Sequence, residues 1–158
     1  MNDPGSISWL ELKVPPALVT LLFAAAIWGV TTITPAAALP HYVRGIELAL
    51  VLASAIFGIG ALISFRKART TIHPMTPEES RSLVVSGVFR VSRNPMYLAL
   101  LLLLLALALQ LSSPAGFLLA WLFIPYMNRF QILPEERAME KLFGRQFEQY
   151  RSKVRRWI

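Results

Sequence analysis

The 158-residue chain contains no cysteine, so a disulfide framework, a thiolate zinc site and a cysteine nucleophile all drop out. Histidine is almost as scarce. His41 and His73 stand far apart and lack the spacing of a metal-ligand pair, so no metal site is expected. Acidic residues are few, nine against sixteen lysines and arginines, for a net charge of +7. So basic a chain invites a nucleic-acid reading, which the positions of the charges oppose. Six of the basic residues lie between Arg66 and Arg93 and eight between Arg129 and Arg156. Both clusters flank apolar runs, where such residues set topology and meet lipid headgroups. No nucleic-acid partner is expected. The first residues lack the pattern of a secretory leader, because Asp3 and Glu11 interrupt the basic start it needs.

What the chain has in quantity is apolar surface. Residues of hydrophobic type make up 55% of it, and the mean hydropathy is +0.52. That is too apolar for an ordinary soluble domain of this size. The expectation is an all-α integral membrane helical bundle, one domain over residues 1–158. It has about four transmembrane helices plus a C-terminal helix on the cytoplasmic face. Residues 1–65 supply two spans, at 16–33 and 46–65, each near the roughly 20 residues a crossing helix needs. Residues 34–45, with Pro35 and Pro40, turn between them. Glu47 sits at the lip of the second span, and Gly45, Gly58 and Gly60 with Ala53 and Ser54 give it small faces for close packing. Ahead of the first span, Trp9, Leu10 and Leu12 suit a short interfacial segment.

Residues 66–158 hold a polar loop, a helical hairpin and a last helix. Thr76-Pro77-Glu78-Glu79 has the form of a helix start, with a capping threonine, proline and acids in the first turn. The third span, 95–111, is leucine-rich, and 112–116 turns tightly into a fourth at 117–127. That run is too short to cross unless Asn128, Arg129 and Gln131 continue the helix. Polar side chains at such depth face a cavity or a partner, because arginine at the bilayer centre costs about 2.5–3.5 kcal/mol on insertion scales. By the positive-inside rule the segment 66–94 is cytoplasmic, and with four spans both termini are too. A bacterial inner membrane is the expected location.

Pro134 opens the final helix, with Glu135 and Glu136 against its positive dipole end. An apolar stripe runs on through Met139, Leu142, Phe143, Phe147 and Tyr150. Arg137, Lys141 and Arg145 form a basic row beside it, with Glu136 either a helper to Glu135 or a surface partner of this row. This reads as a surface helix, followed by a basic tail over 151–156 and an interfacial Trp157.

The string with the most chemistry is Ser86-Gly-Val-Phe-Arg-Val-Ser-Arg-Asn-Pro-Met-Tyr97. It is a polar loop that stops at Pro95 and becomes a membrane helix. The amides of Met96 and Tyr97 then face outward from a helix start, where the dipole favours an acidic group. A basic flank that snorkels to headgroups would explain the arginines alone.

Leu83-Val84-Val85-Ser86-Gly87-Val88-Phe89, Arg93-Asn94-Pro95-Met96-Tyr97, Pro134-Glu135-Glu136-Arg137 and Phe143-Gly144 follow one another in order. Together they resemble the small integral-membrane methyltransferases, the group of isoprenylcysteine carboxyl methyltransferases and phospholipid N-methyltransferases. The resemblance covers roughly residues 64 to 158. It implies S-adenosyl-L-methionine as cofactor, held by residues matching Arg81, Ser82, Leu83, Val84, Phe89, Asn94, Pro95, Met96, Tyr97 and Glu135. There are departures. Asn94 stands where the isoprenylcysteine branch has histidine, Phe89 where it has tyrosine, and Gln131 where it has an arginine for the substrate carboxylate. Leu98-Ala99 replace a glycine that often follows the tyrosine in the phospholipid branch.

The donor's chemistry suits these residues. Its ammonium needs a carboxylate, which Glu135 offers; its carboxylate needs amides or cations, from the 94–97 helix start or from Arg93, which suits a lipid phosphate equally well. Its ring needs apolar surface, from Leu83, Val84 and Phe89. Glu135, Arg93, Asn94 and Tyr97 are therefore the expected catalytic set, and Arg129 and Gln131 the residues nearest an acceptor. The expected reaction moves a methyl group to a lipophilic small-molecule or lipid-linked acceptor, resembling an isoprenylcysteine carboxylate. A phospholipid N-methyltransferase is the alternative. A non-catalytic member of the same fold and a small four-helix transporter are two more.

Overall fold

A computed structural model describes residues 11–68 and 82–158. Trp9, Leu10, the helix start expected at 76–79 and Arg81 lie outside the described residues. Those described form helices and no strand: α1 Pro16–Thr31, α2 Val43–Ala68, α3 Pro95–Gln110, α4 Pro114–Met127, α5 Leu133–Phe143 and α6 Arg145–Lys153. A short 3₁₀ turn spans Gly87–Arg90, and a π turn, Asn128–Ile132, joins α4 to α5.

Proline sets the helix starts. It stands first in α1, α3 and α4, where its missing N–H costs nothing. Ser113 adds a side-chain cap on α4, accepting from the Gly116 amide at 3.0 Å. Arg66 and Lys67 in the last turn of α2 suit its negative dipole end, and the helix runs to Ala68, three residues past the expected 46–65 span.

Other boundaries differ from expectation. α2 begins at Val43, inside the turn expected over 34–45, and α4 begins at Pro114, inside the turn expected over 112–116, because the Ser113 cap and a proline at the first position start the helix there. Pro134 does not start a new helix, because the π turn carries the backbone from α4 straight into α5. The last helix is divided at Gly144, whose φ of +47° is closed to most side chains. The surface helix is therefore two short ones.

α3 is the centre of the bundle. α2 packs along one side of it, and α1 and α4 pack on the other and against each other. α1 and α2, although consecutive, form no packed interface, which leaves a groove over α3. Ile27, Leu104, Phe123, Met127 and Ile132 fill the core between α1, α3 and α4. A second cluster, Ala61, Val84, Phe89, Phe147 and Tyr150, ties α2 to the polar loop and α6.

α2 is built inside out. Its buried residues are Ser54, Ala61 and Ser64, while Leu48, Leu52, Ile56 and Ile59 are exposed. The Ser54 hydroxyl donates to the Ala99 carbonyl at 2.8 Å, a small polar contact between closely packed helices. α2 is long and apolar enough to cross a membrane; α1 and α3 are apolar but have 16 residues each.

Gly60 shows how tight the seam is. A Cβ there would lie 2.6 Å from Val88 Cγ1, inside the 3₁₀ turn. Alanine normally gains up to about 1 kcal/mol over glycine within a helix. Here overpacking of about 1–3 kcal/mol opposes that gain. Gly60→Ala is expected to lower the thermal midpoint, and adding Val88→Ala to restore it.

Candidate functional site

The polar loop is held from several sides. Gly87 turns it with φ +63°, and the Phe89 ring meets Phe65 of α2 edge to face at 5.3 Å. The Tyr150 hydroxyl of α6 donates to the Phe89 carbonyl at 2.7 Å, a buried bond. Burial also raises the Tyr150 hydroxyl above the usual tyrosine range. Ser92 Oγ accepts from the Asn94 amide at 3.1 Å as α3 begins.

The start of α3 faces the start of α5. The Tyr97 hydroxyl donates to Glu135 Oε1, joining the two ends of the hairpin. Burial pushes the Glu135 carboxyl up to about 8, with the neighbouring Glu136 charge adding to the effect and the Tyr97 hydrogen bond opposing it. At neutral pH this group is mostly a neutral acid.

Glu136 does not sit on the surface with the basic row. It is buried and takes two hydrogen bonds from Arg156, at 3.0 Å from Nε and 2.7 Å from Nη2. Arg93 Nη1 lies 3.0 Å from the same carboxylate, yet neither it nor Nε makes a hydrogen bond. Burial holds the Arg93 guanidinium below the ordinary arginine value, against the pull of Glu136.

These groups surround one cavity of about 600 Å³, largely apolar, between α2, α3, the polar loop and the last two helices. That is the size of a small-molecule site. Ser82, Leu83, Val84, Phe89, Arg93, Asn94, Pro95, Met96, Tyr97 and Glu135 all line it, so every described residue expected near the donor is on its wall. Asn94 also turns its amide away, donating from Nδ2 to the Arg156 carbonyl at 2.9 Å.

Arg129 and Gln131 are not brought to this cavity. Arg129 pairs with Glu11 and lies 5.4 Å from the Phe130 ring centre. Gln131 is fully buried, donating from Nε2 to the Val14 carbonyl at 2.7 Å. The π turn explains this: its extra residue rotates these side chains toward the segment before α1. Both found a partner rather than a cavity. Arg137 likewise pairs with Glu11, and Trp157 donates from Nε1 to Asn128 Oδ1 at 3.1 Å instead of standing free at an interface.

Some of the wall was not anticipated. Ser54, Gly58 and Ile59 of α2 line the cavity, as do Met139, Phe147 and Tyr150. The small residues of α2 carried a signal, read only as close packing. Among the described residues no group of His, Cys, Asp and Glu could hold a metal ion.

Comparison with known proteins places this geometry in context. Residues 42–146 match the family described as phospholipid methyltransferase. An uncharacterized protein of Haemophilus influenzae is 46% identical over 63 residues, which is 40% of this chain and all of that protein. Protein-S-isoprenylcysteine O-methyltransferase B of Arabidopsis thaliana is 26% identical over 121 residues, 72% of this chain and 57% of that protein. A probable protein-S-isoprenylcysteine O-methyltransferase of Oryza sativa is similar at 26% identity, with 59% of its length covered. The chain thus spans less than two thirds of the plant relatives' length. No solved structure matches.

Proposed function

The chain belongs to the phospholipid methyltransferase family, and from that premise we propose that it transfers a methyl group from S-adenosylmethionine to a lipophilic acceptor within a membrane. One observation carries the reading. A carboxyl, Glu135, and a buried guanidinium with unspent N–H groups, Arg93, line the same apolar cavity. They match the ammonium and carboxylate of the donor's amino-acid end, and Leu83, Val84 and Phe89 offer apolar surface for its ring.

The donor supplies a sulfonium-bound methyl: the S–C bond breaks as the acceptor's lone pair forms the new bond, and the electrons return to sulfur. What remains for the protein is positioning and charge. Glu135 holds the ammonium and Tyr97 orients Glu135. Arg93 and the helix start at 94–97 hold the carboxylate. Glu136 is engaged by Arg156, so among the described residues no further cavity carboxylate is free to act as a base. A carboxylate acceptor needs none, and an amine or thiol arrives deprotonated.

A four-span bundle with a cytoplasmic active face is the setting that best suits the inside-out α2. The π turn that continues α4 lengthens a fourth span that is short by itself, and α5 lies beyond it on the cytoplasmic face. The groove between α1 and α2 supports lateral entry of the acceptor, along Ala55, Gly58, Ile59, Leu100 and Leu103 of the cavity wall. Methylation confined to water-soluble acceptors would count against that route. The reading is tested by calorimetry of S-adenosylmethionine with the detergent-purified protein. Saturable binding at one site per chain is expected. A well-folded protein that binds none would overturn the donor site.

A further inference from the structure

The C-terminal segment after α6 does more than carry charge. It crosses the loop before α3 in an extended conformation, with Val154 at φ −123°, ψ 132°. The Arg93 amide donates to the Arg155 carbonyl at 3.0 Å. The Arg156 carbonyl accepts from Asn94 Nδ2 at 2.9 Å and, more weakly, from Ser92 Oγ at 3.4 Å. Ser92 and the cavity-wall residues Arg93 and Asn94 are thus laced to two residues of this strap.

The Arg156 side chain adds a charge argument. Its guanidinium grips both oxygens of Glu136, at 3.0 and 2.7 Å. That fork geometry saturates a carboxylate in a way a single contact does not. Arg93, next to the same carboxylate, is left with Nε and Nη1 buried and without a hydrogen bond. Two guanidinium groups and one carboxylate leave a net charge of +1 on the trio. A buried guanidinium with unused N–H groups is costly unless something else accepts them.

We infer that Arg156 is a positioning residue: by taking both Glu136 oxygens in hydrogen bonds it holds the Arg93–Glu136 contact to an ion pair without a hydrogen bond, so that the Arg93 N–H groups can take the carboxylate of the methyl donor. The inference rests on the donor reading above and assigns a task to a residue that touches neither donor nor acceptor.

The test is a charge rescue, read by calorimetry of S-adenosylmethionine. In Arg156→Gln, Glu136 keeps only its ion pair with Arg93, which tightens into a hydrogen bond, and the Kd is expected to rise about 10- to 100-fold, the scale of a hydrogen bond to a charged group. In Arg156→Gln/Glu136→Gln no carboxylate competes for Arg93, and the affinity is expected to return to within about threefold of the wild type. Arg156→Lys, which keeps the charge but cannot grip both oxygens, gives an intermediate loss. A strap that acted only as structure would be weakened further by the second substitution, so a double variant no better than the single overturns the inference. Equal binding by the single variant and the wild type overturns it too. Failure of the wild type to bind at all instead sinks the donor reading. Should Arg156→Gln not fold, Arg156→Lys with and without Glu136→Gln makes the same comparison.

Discussion

Glu135→Gln is expected to weaken S-adenosylmethionine binding by about 2–5 kcal/mol at pH 8, a loss of thirtyfold or more. Glutamine keeps the shape and still offers Tyr97 an acceptor, so the hairpin ends stay joined and the thermal midpoint moves little. What goes is the charge. The effect depends on pH, because the carboxyl titrates near 8 in the donor-free protein against about 4.5 in an unfolded chain. Below 8 an ammonium ligand binds only with release of the Glu135 proton. Affinity therefore rises about tenfold per pH unit up to 8. Above 8 the donor's own amino group, ordinarily about 7.7–8.0, loses its charge and affinity falls. A maximum near pH 8 is expected in the wild type, and the acid limb disappears in Glu135→Gln. Calorimetry in buffers of different ionisation enthalpy measures the released proton directly. A wild-type affinity flat from pH 6 to 8 would show that Glu135 does not meet a cation. For the donor-free protein the sign is opposite. The folded state holds the proton more tightly than the unfolded one, so this group's contribution to stability is full below about pH 4.5 and lost by about 8.

The second large effect is at Gly87. Its φ of +63° costs a side-chain-bearing residue about 1–2 kcal/mol, and a Cβ there would lie 2.8 Å from Ser64 Oγ. Ser64 cannot swing away freely, because its hydroxyl donates to the Gly60 carbonyl at 2.7 Å. Adding overpacking of about 1–3 kcal/mol, Gly87→Ala is expected to destabilise the protein by about 2–5 kcal/mol. The 3₁₀ turn moves off α2 and takes Phe89 with it, so donor affinity falls as well. Denaturation monitored in detergent reads the first effect and calorimetry the second. A variant with unchanged midpoint and unchanged affinity would mean that this turn does not shape the cavity.

Much of this was legible in the residues. Hydropathy located the apolar helices, and Pro16 and Pro95 marked two of their starts because the first turn is where proline costs least; Pro114, which reads as part of the turn before 117, instead opens α4, and Pro125 lies inside it. The strings at 82–97 and 134–137 pointed to residues that share one cavity, since a short hairpin must return its ends to the same side. What stayed hidden depends on long-range geometry. The π turn at 128–132 follows from packing, not from local propensity, and it decides that Gln131 meets Val14. Spacing left Glu136 between a helper to Glu135 and a surface partner of Arg137, Lys141 and Arg145, and it is buried on the cavity wall. Its partners come instead from Arg93 and Arg156, 43 and 20 positions away. Gly144 stood in a motif, but only its positive φ shows that it splits the helix.

The burial of the Arg93–Glu136–Arg156 trio has a consequence for ionic strength. Exposed charges more than about 8 Å apart are largely screened in physiological salt, whereas buried ones are screened far less. Arg137 and Arg151 lie about half exposed, and the attraction of such residues to an anionic surface fades as salt is added. Arg93, with a side chain 11% exposed, keeps its field. High salt therefore weakens whatever the exposed arginines attract while leaving the interior of the cavity electrostatically intact.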